Sequence, residues 1–369
     1  MTTIRTAGAR APSRAGRPVR VPAGAAGLLA AALLAACSSA PPAPEPTAPP
    51  VAAPSPRPAP VAADDALRPG VLGRNERFLV YLPRAGETLR GIAAQFLGSE
   101  DRAWMIGEAN DLAAPEPGLP LIVPLKPLNP IGVTAEAYQT VPILCYHRFG
   151  GAPNKMSVSP GNFAAQLDWL AKNGYTVIRL SQLMGFLQGR EALPKRSVVI
   201  TIDDGYESTY RHALPALRKH NFPATLFVYT DFIGAGDAVT WPQMQELVSS
   251  GLVDIQAHSK SHRNLIERQA GETDERYRQN LDAEARVPRE VLEKRLPVQV
   301  RHYAYPYGDT NEAMLDVLAR QKYELAVTVN PGGNGFFAQP MMLRRTMIFG
   351  DHDIEAFKAK LQISRAVTP

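Results

Sequence analysis

Val198-Val199-Ile200-Thr201-Ile202-Asp203-Asp204-Gly205 is an unbroken apolar, largely β-branched run that ends in two adjacent acids and a glycine, which reads as a buried strand passing into a loop. Two carboxylates at the mouth of a buried strand are costly unless a cation or a working proton sits with them. Further along, Leu252-Val253-Asp254-Ile255 is followed by His258-Ser259-Lys260-Ser261-His262, two imidazoles four residues apart. Two His and one Asp make an open three-ligand site for a divalent metal, with one position left for water. The other Asp is then free to act as general base. Each motif alone is weak, because Asp-Gly turns after strands are common and four-residue His spacing also arises on solvated faces. Together, at the ends of two strands, they form the constellation of a metal-assisted hydrolase.

Working outward, strands are predicted over 141–146, 176–180, 197–202, 224–229, 253–257, 300–305, 325–329 and 343–348, with helices between most of them, for instance over 162–173, 180–188 and 210–220. This alternation predicts an α/β fold, a distorted (β/α) barrel of seven or eight units over residues 141–365. Its unusual polar residues follow strand ends: His147, Asp203-Asp204, Thr230, His258, Tyr307, Asn330 and Arg344-Arg345. A smaller α+β unit is predicted over 77–125, with strand 78–81, helices 87–96 and 103–109, and strand 119–124. The stretch 37–70 is rich in Pro and Ala, as in Pro41-Pro42-Ala43-Pro44-Glu45-Pro46. It holds too little apolar surface to fold and is expected to be a semi-extended tether.

The formal charge of +5 sits at one end of the chain. Residues 1–36 carry Arg5, Arg10, Arg14, Arg17 and Arg20 and no acid, so their removal leaves a formally neutral protein with no electrostatic case for nucleic acid. These arginines precede a short apolar run, residues 25–36, that ends in small residues, the layout of a secretory signal over 1–36 and too short to span a membrane. Leu34-Ala35-Ala36-Cys37 resembles the lipobox of bacterial lipoproteins, which implies acylation of Cys37 and a lipid anchor in place of a span. Ser38 resembles the signal for onward transport to an outer membrane, so a periplasm-facing envelope lipoprotein is expected if the organism has that membrane. With Cys37 acylated, Cys145 has no intramolecular partner and is expected to be a buried small hydrophobe.

Residues 141–361 resemble the polysaccharide deacetylases, the carbohydrate esterase family that includes nodulation-factor deacetylases. The blocks that carry the resemblance are Thr201-Ile202-Asp203-Asp204-Gly205, His258-Ser259-Lys260-Ser261-His262 and Ala304-Tyr305-Pro306-Tyr307-Gly308, supported by residues 142–147, Thr240-Trp241 and Leu343-Arg344-Arg345. The third block is most similar to the branch that includes deacetylases of poly-N-acetylglucosamine. Residues 77–125 resemble LysM, a small glycan-binding module, through Gly86-Glu87-Thr88-Leu89, Phe96-Leu97-Gly98, Trp104, Asn110 and Ile122-Val123-Pro124. That resemblance implies peptidoglycan binding by loops carrying Gly86, Glu87, Thr88 and Asn110.

The deacetylase resemblance implies a divalent metal, Zn²⁺ first with Co²⁺ or Ni²⁺ as alternatives, on Asp204, His258 and His262. It implies Asp203 as base and the Tyr307 N–H as oxyanion donor, with Trp241, Tyr305, Pro306 and Arg344 lining the substrate groove. The sequence departs from the family at two points. Ala304 stands where many relatives have an Arg that supports the catalytic Asp, which leaves Arg344 or Arg345 as substitute. No His follows Leu343, which leaves His147 or His352 as general acid; His352 reads more simply as part of an exposed turn. The expected activity is removal of N-acetyl groups from a GlcNAc-containing polysaccharide, poly-N-acetylglucosamine or peptidoglycan, by a monomer. The alternatives are a non-catalytic glycan-binding wall protein and an O-deacetylase of another acetylated glycan.

Overall fold

The computed structural model describes residues 68–151 and 154–367; the expected signal, Cys37 and nearly all of the tether lie outside them. A small unit comes first. Strands β1 (Val71–Arg74), β2 (Phe78–Tyr81) and β3 (Leu121–Pro124) form an antiparallel sheet with β2 in the middle. Helices α1 (Leu89–Leu97) and α2 (Ala103–Asn110) separate β2 from β3. The apolar positions of all these elements close one core of Leu79, Tyr81, Ile92, Ala93, Ile106, Leu121 and Val123. Thr88 starts α1 by accepting the Gly91 N–H, and Gly98 ends it in the left-handed region that a residue without Cβ adopts freely.

The larger unit is a curled sheet of parallel strands with helices on its outer face. After β4 (Ala137–Gln139), which belongs to a separate two-stranded sheet, come β5 (Val141–Tyr146), β6 (Ser197–Ile202), β7 (Ala224–Val228), β8 (Val253–Ala257), β9 (His302–Ala304) and β10 (Leu325–Val327). They pair in chain order from β5 to β10. The two edges of the curl meet through residues 343–347: Leu343 bridges to Val327, and β11 (Thr346–Met347) pairs with Leu144 and Cys145. A last strand, β12 (Ser364–Ala366), pairs with β4. Among the described residues no helix is long and apolar enough to cross a membrane.

Strand periodicity of two decides what each residue does. On β5 and β6, Leu144, Tyr146, Val198, Ile200 and Ile202 pack outward into the core shared with helix α3 (Pro160–Lys172), through Phe163, Leu167 and Leu170. The intervening positions, Cys145, Thr201 and Asp203, turn to the other face, towards Arg345. Both strands are fully buried, so a continuous apolar run tolerates polar residues only where partners await them.

The predicted elements are found with shifted limits. The run at 176–180 pairs only as Thr176–Val177, and that at 343–348 only through the bridge and β11. Among the elements not predicted by range is a 22-residue helix, Asp274–Arg295, with Pro288 inside it.

Candidate active site and metal centre

Asp203, Asp204, His258 and His262 converge at the C-terminal ends of β6 and β8. The Asp204 Oδ1 lies 3.5 Å from the His258 Nε2 and 3.3 Å from the His262 Nε2. His258 Nδ1 lies 2.8 Å from the carbonyl oxygen of Ala304 and donates to it, which turns Nε2 towards Asp204. Asp204 Oδ1 is buried and has no hydrogen-bond partner. An orphaned carboxylate oxygen beside two imidazole Nε2 atoms has the donor set of a three-ligand metal centre, and Asp204, His258 and His262 form a group able to hold an ion. Burial opposes ionisation of Asp204, but the two imidazoles outweigh it and hold the carboxyl well below the usual carboxylate range.

A second cluster, Cys145, His147 and Asp203, also brings ligand atoms together, but its chemistry does not suit a cation. Arg345 occupies both oxygens of Asp203, Nη1 on Oδ1 and Nη2 on Oδ2, each at 2.7 Å. Burial pushes the Cys145 thiol well up, so it stays protonated, 3.5 Å from Asp203 Oδ2. Half-buried His147 belongs to this cluster, and burial pushes its pKa down against the pull of Asp203 and Asp204.

Arg345 is thus the residue that faces the first Asp, and Arg344 is not. Arg345 has no solvent exposure and also donates to the Thr328 carbonyl and the Thr201 hydroxyl. Burial alone would raise the Asp203 pKa; the guanidinium outweighs it and keeps the carboxyl below its ordinary value.

The loops that carry the cluster are held in an unusual conformation. Asp204, Ser259, His262 and Tyr307 all have φ between 59° and 74°, at a cost of order 1 kcal/mol each for a residue with a Cβ. Gly205 and Gly308 share the left-handed region, and a methyl group on them would meet Val228 Cγ1 at 2.9 Å and the Val329 backbone N at 2.6 Å. The Tyr307 ring is 60% exposed and lies 5.0 Å from that of His262. Among the described residues no acceptor is recorded for its N–H.

The loop 259–262 has a support that sequence reasoning missed. Glu284, buried on the long helix Asp274–Arg295, accepts the N–H groups of Lys260 and Ser261, each at 2.9 Å, and the Ser261 hydroxyl at 2.6 Å. Its partners lie more than 20 residues away in sequence, so no local pattern marks it. Ser259 Oγ accepts the His262 N–H at 2.9 Å.

The remaining candidates are placed elsewhere or engaged in structure. The Trp241 ring stacks under the Arg295 guanidinium at 4.6 Å and packs on the main core. Tyr305 and Pro306 are buried, and the Tyr305 hydroxyl donates to the Met341 carbonyl. Arg344 lines a separate cleft. His352 Nδ1 accepts the Phe349 N–H in a turn. In the small unit, Glu87 accepts the Tyr81 hydroxyl and the Arg84 N–H, Thr88 caps α1, and Asn110 ties α2 to β3 through Ile106 and Ile122. Gly86 has φ 85° and open space around it.

Replacing Arg345 by Met leaves the Asp203 carboxyl buried without its cation, and about 3 kcal/mol of stability at neutral pH is expected to go. A carboxyl held low in the folded state stabilises above its unfolded pKa and loses that contribution as pH falls through its folded pKa. The variant lacks that contribution and its Asp203 titrates higher, so the acid limb of any hydrolytic pH profile moves to higher pH; an unmoved limb contradicts the role given to Arg345. For Glu284→Gln, which loses one of two accepting oxygens, metal affinity measured by calorimetry is expected to fall about tenfold, and an unchanged affinity contradicts the support.

Comparison with known proteins finds polysaccharide deacetylases. The polysaccharide deacetylase family model matches residues 190–326. The poly-β-1,6-N-acetyl-D-glucosamine N-deacetylase of Escherichia coli strain K12 is 26% identical over 211 residues, 48% of this chain and 31% of that one, so the match spans less than a third of that relative's length. Among solved structures, the deacetylase PplD of Streptococcus pyogenes in complex with acetate superposes with a TM-score of 0.55 at 26% identity, covering 60% of this chain and 98% of that one. IcaB from Ammonifex degensii gives a TM-score of 0.55 at 28% identity over 61% of this chain and 97% of that one. The family model, the curated relative and the solved structures together support a polysaccharide deacetylase domain in this chain.

Proposed function

We propose that the protein hydrolyses N-acetyl groups on a GlcNAc-containing polysaccharide, with Asp204, His258 and His262 as metal ligands and Asp203 as base. The observation that carries this reading is the orphaned Asp204 Oδ1 between two Nε2 atoms, next to a second carboxylate held ionised by Arg345. A divalent metal bound there, Zn²⁺ or in its place Co²⁺ or Ni²⁺, supplies Lewis acidity to the acetamide carbonyl and acidity to a water. Asp203 takes the proton of the attacking water. The Tyr307 N–H, without a recorded partner, donates to the oxygen of the tetrahedral intermediate. His147, kept neutral by burial and clustered with Asp203, takes that proton from Asp203 and passes it to the nitrogen as the C–N bond breaks. Acetate leaves and the sugar keeps a free amine.

The groove wall in this reading is the exposed Tyr307 ring rather than Tyr305, Pro306 or Trp241. The 77–125 unit, with the LysM-like order of strands and helices, holds peptidoglycan in the same proposal. Glu108 on α2 accepts the Lys195 N–H at 2.8 Å, a link between that unit and the larger one. The acylated Cys37 would tether both to a membrane facing the periplasm, as a monomer.

With Zn²⁺, Co²⁺ or Ni²⁺ supplied, acetate release is expected from β-1,6-linked N-acetylglucosamine oligomers or from peptidoglycan. Asp203→Asn and His258→Ala should each reduce it at least a thousandfold, about 4 kcal/mol of barrier. Near-normal turnover in either variant contradicts the site, and glycan binding without acetate release favours a binding module. Cys37→Ser is expected to shift the protein from the membrane fraction to the soluble one, and retention in the membrane contradicts the lipid anchor.

A further inference from the structure

A cleft of about 360 Å³ opens beside the closing segment of the barrel and is separate from the metal cluster. Two arginines distant in sequence, Arg344 in the segment before β11 and Arg365 on β12, line it, and no carboxylate is among its described lining residues. A methyl group placed on Gly332 would lie 3.7 Å from Arg344 Nη1 and 3.4 Å from Arg365 Nη2, so both guanidinium groups come close to Gly332, whose neighbour Gly333 lines the cleft. Like charges brought together without an acid create a standing demand for an anion.

The Arg344 main chain is fixed by buried Asn334, which accepts its N–H and donates to its carbonyl, each at 2.9 Å. Arg344 Nη1 donates to the Pro331 carbonyl at 3.1 Å, so the side chain is oriented before any ligand arrives. The rest of the lining suits a sugar ring. Phe337 is 62% exposed and stands edge-on to Tyr138 at 5.3 Å, an apolar platform next to the charges. The side-chain amides of Asn330 and Gln339 also line the cleft and have no recorded partner among the described residues. Its volume is at the lower end of the range for ligand sites, on the order of one or two sugar rings.

From this we infer that the cleft binds a carboxylate-bearing saccharide: the carboxylate on Arg344 and Arg365, the ring against Phe337, the hydroxyls on Asn330 and Gln339. Asn330 follows Val329, whose main chain packs on Gly308 beside Tyr307, so the cleft starts close to the wall of the metal groove. A polymer lying in that groove with acidic units along it reaches both places. The binding itself does not depend on the proposed deacetylation.

The test is calorimetric titration of the full chain, with a chelator present so that the metal cluster takes no part. The probes are a tetrasaccharide alternating glucuronate with N-acetylglucosamine and a neutral tetramer of N-acetylglucosamine. The acidic tetrasaccharide is expected to bind at least tenfold tighter, with the preference falling as salt rises. Arg365→Ala and Arg344→Ala should each cost it about tenfold, and Phe337→Ala should weaken it without changing the preference for acid. The Arg365 side chain is exposed and makes no polar contact with the described residues, so its variant, which keeps the β12 main-chain pairing, keeps the wild-type unfolding midpoint. Equal affinity for the two probes, or an Arg365→Ala protein that binds the acidic one unchanged, overturns the inference. Because acetate release is not read, failure here leaves the proposed reaction standing, and failure of the reaction leaves this site standing.

Discussion

The ion pair between Arg345 and Asp203 sits where a barrel interior is ordinarily filled by hydrocarbon. Both partners are removed from water, which costs several kcal/mol per charge before any interaction is counted. Two parallel 2.7 Å contacts, the Thr328 carbonyl, the Thr201 hydroxyl and the face of Phe227 at 5.7 Å offset that cost. A well-packed apolar substitute would serve stability as well or better. What it would not provide is a buried carboxylate that stays ionised at the end of a parallel strand, 3.9 Å from His258 Nε2 in a trio able to hold an ion. The register of β5, β6 and β11 exists around this pair, since Cys145, Thr201 and Asp203 reach it only through their shared strand face.

The trio itself depends on loops that no strand holds. Four residues with side chains occupy the left-handed region there, and two glycines complete the turns where a Cβ would strike Val228 or Val329. Such conformations persist only when surrounding contacts over-determine them. Glu284, the Ser259 hydroxyl and the Ala304 carbonyl supply those contacts from three different elements. The result is a carboxylate and two imidazoles aimed at one point before any ion arrives, with the His258 tautomer already chosen.

Much of this was legible in the sequence, and the parts that were not have physical reasons. The β-branched runs ending in Asp203-Asp204 and in His258 mark the strands, because a buried parallel strand leaves no room for polar alternation. The choice between Arg344 and Arg345 was open because adjacent residues of an extended segment face opposite ways, and which one enters the barrel is set by the pairing of Leu343 and Thr346 on either side of them. Buried Tyr305 and exposed Tyr307 are two residues apart, a spacing that strand alternation would put on one face; they part because the chain turns over Pro306–Gly308 with Tyr307 at φ 61°. Glu284 carried no local signal: it is one acid among many on a charged helix, and its worth lies in backbone N–H groups brought near by folding. Asn110, read as a glycan contact, is occupied by Ile106 and Ile122, a use that sequence spacing does not distinguish from ligand binding.

The account turns on which cluster holds the ion. X-ray absorption on the protein loaded with one equivalent of Zn²⁺ reads the ligands directly, since sulfur scatters at about 2.3 Å and nitrogen or oxygen at about 2.0–2.1 Å. Occupancy of Asp204, His258 and His262 predicts a shell of nitrogen and oxygen alone, with the outer-shell signature of two imidazoles. A sulfur scatterer would place the ion on Cys145 with His147 and Asp203, and would contradict both the protonated thiol and the Arg345-bound base.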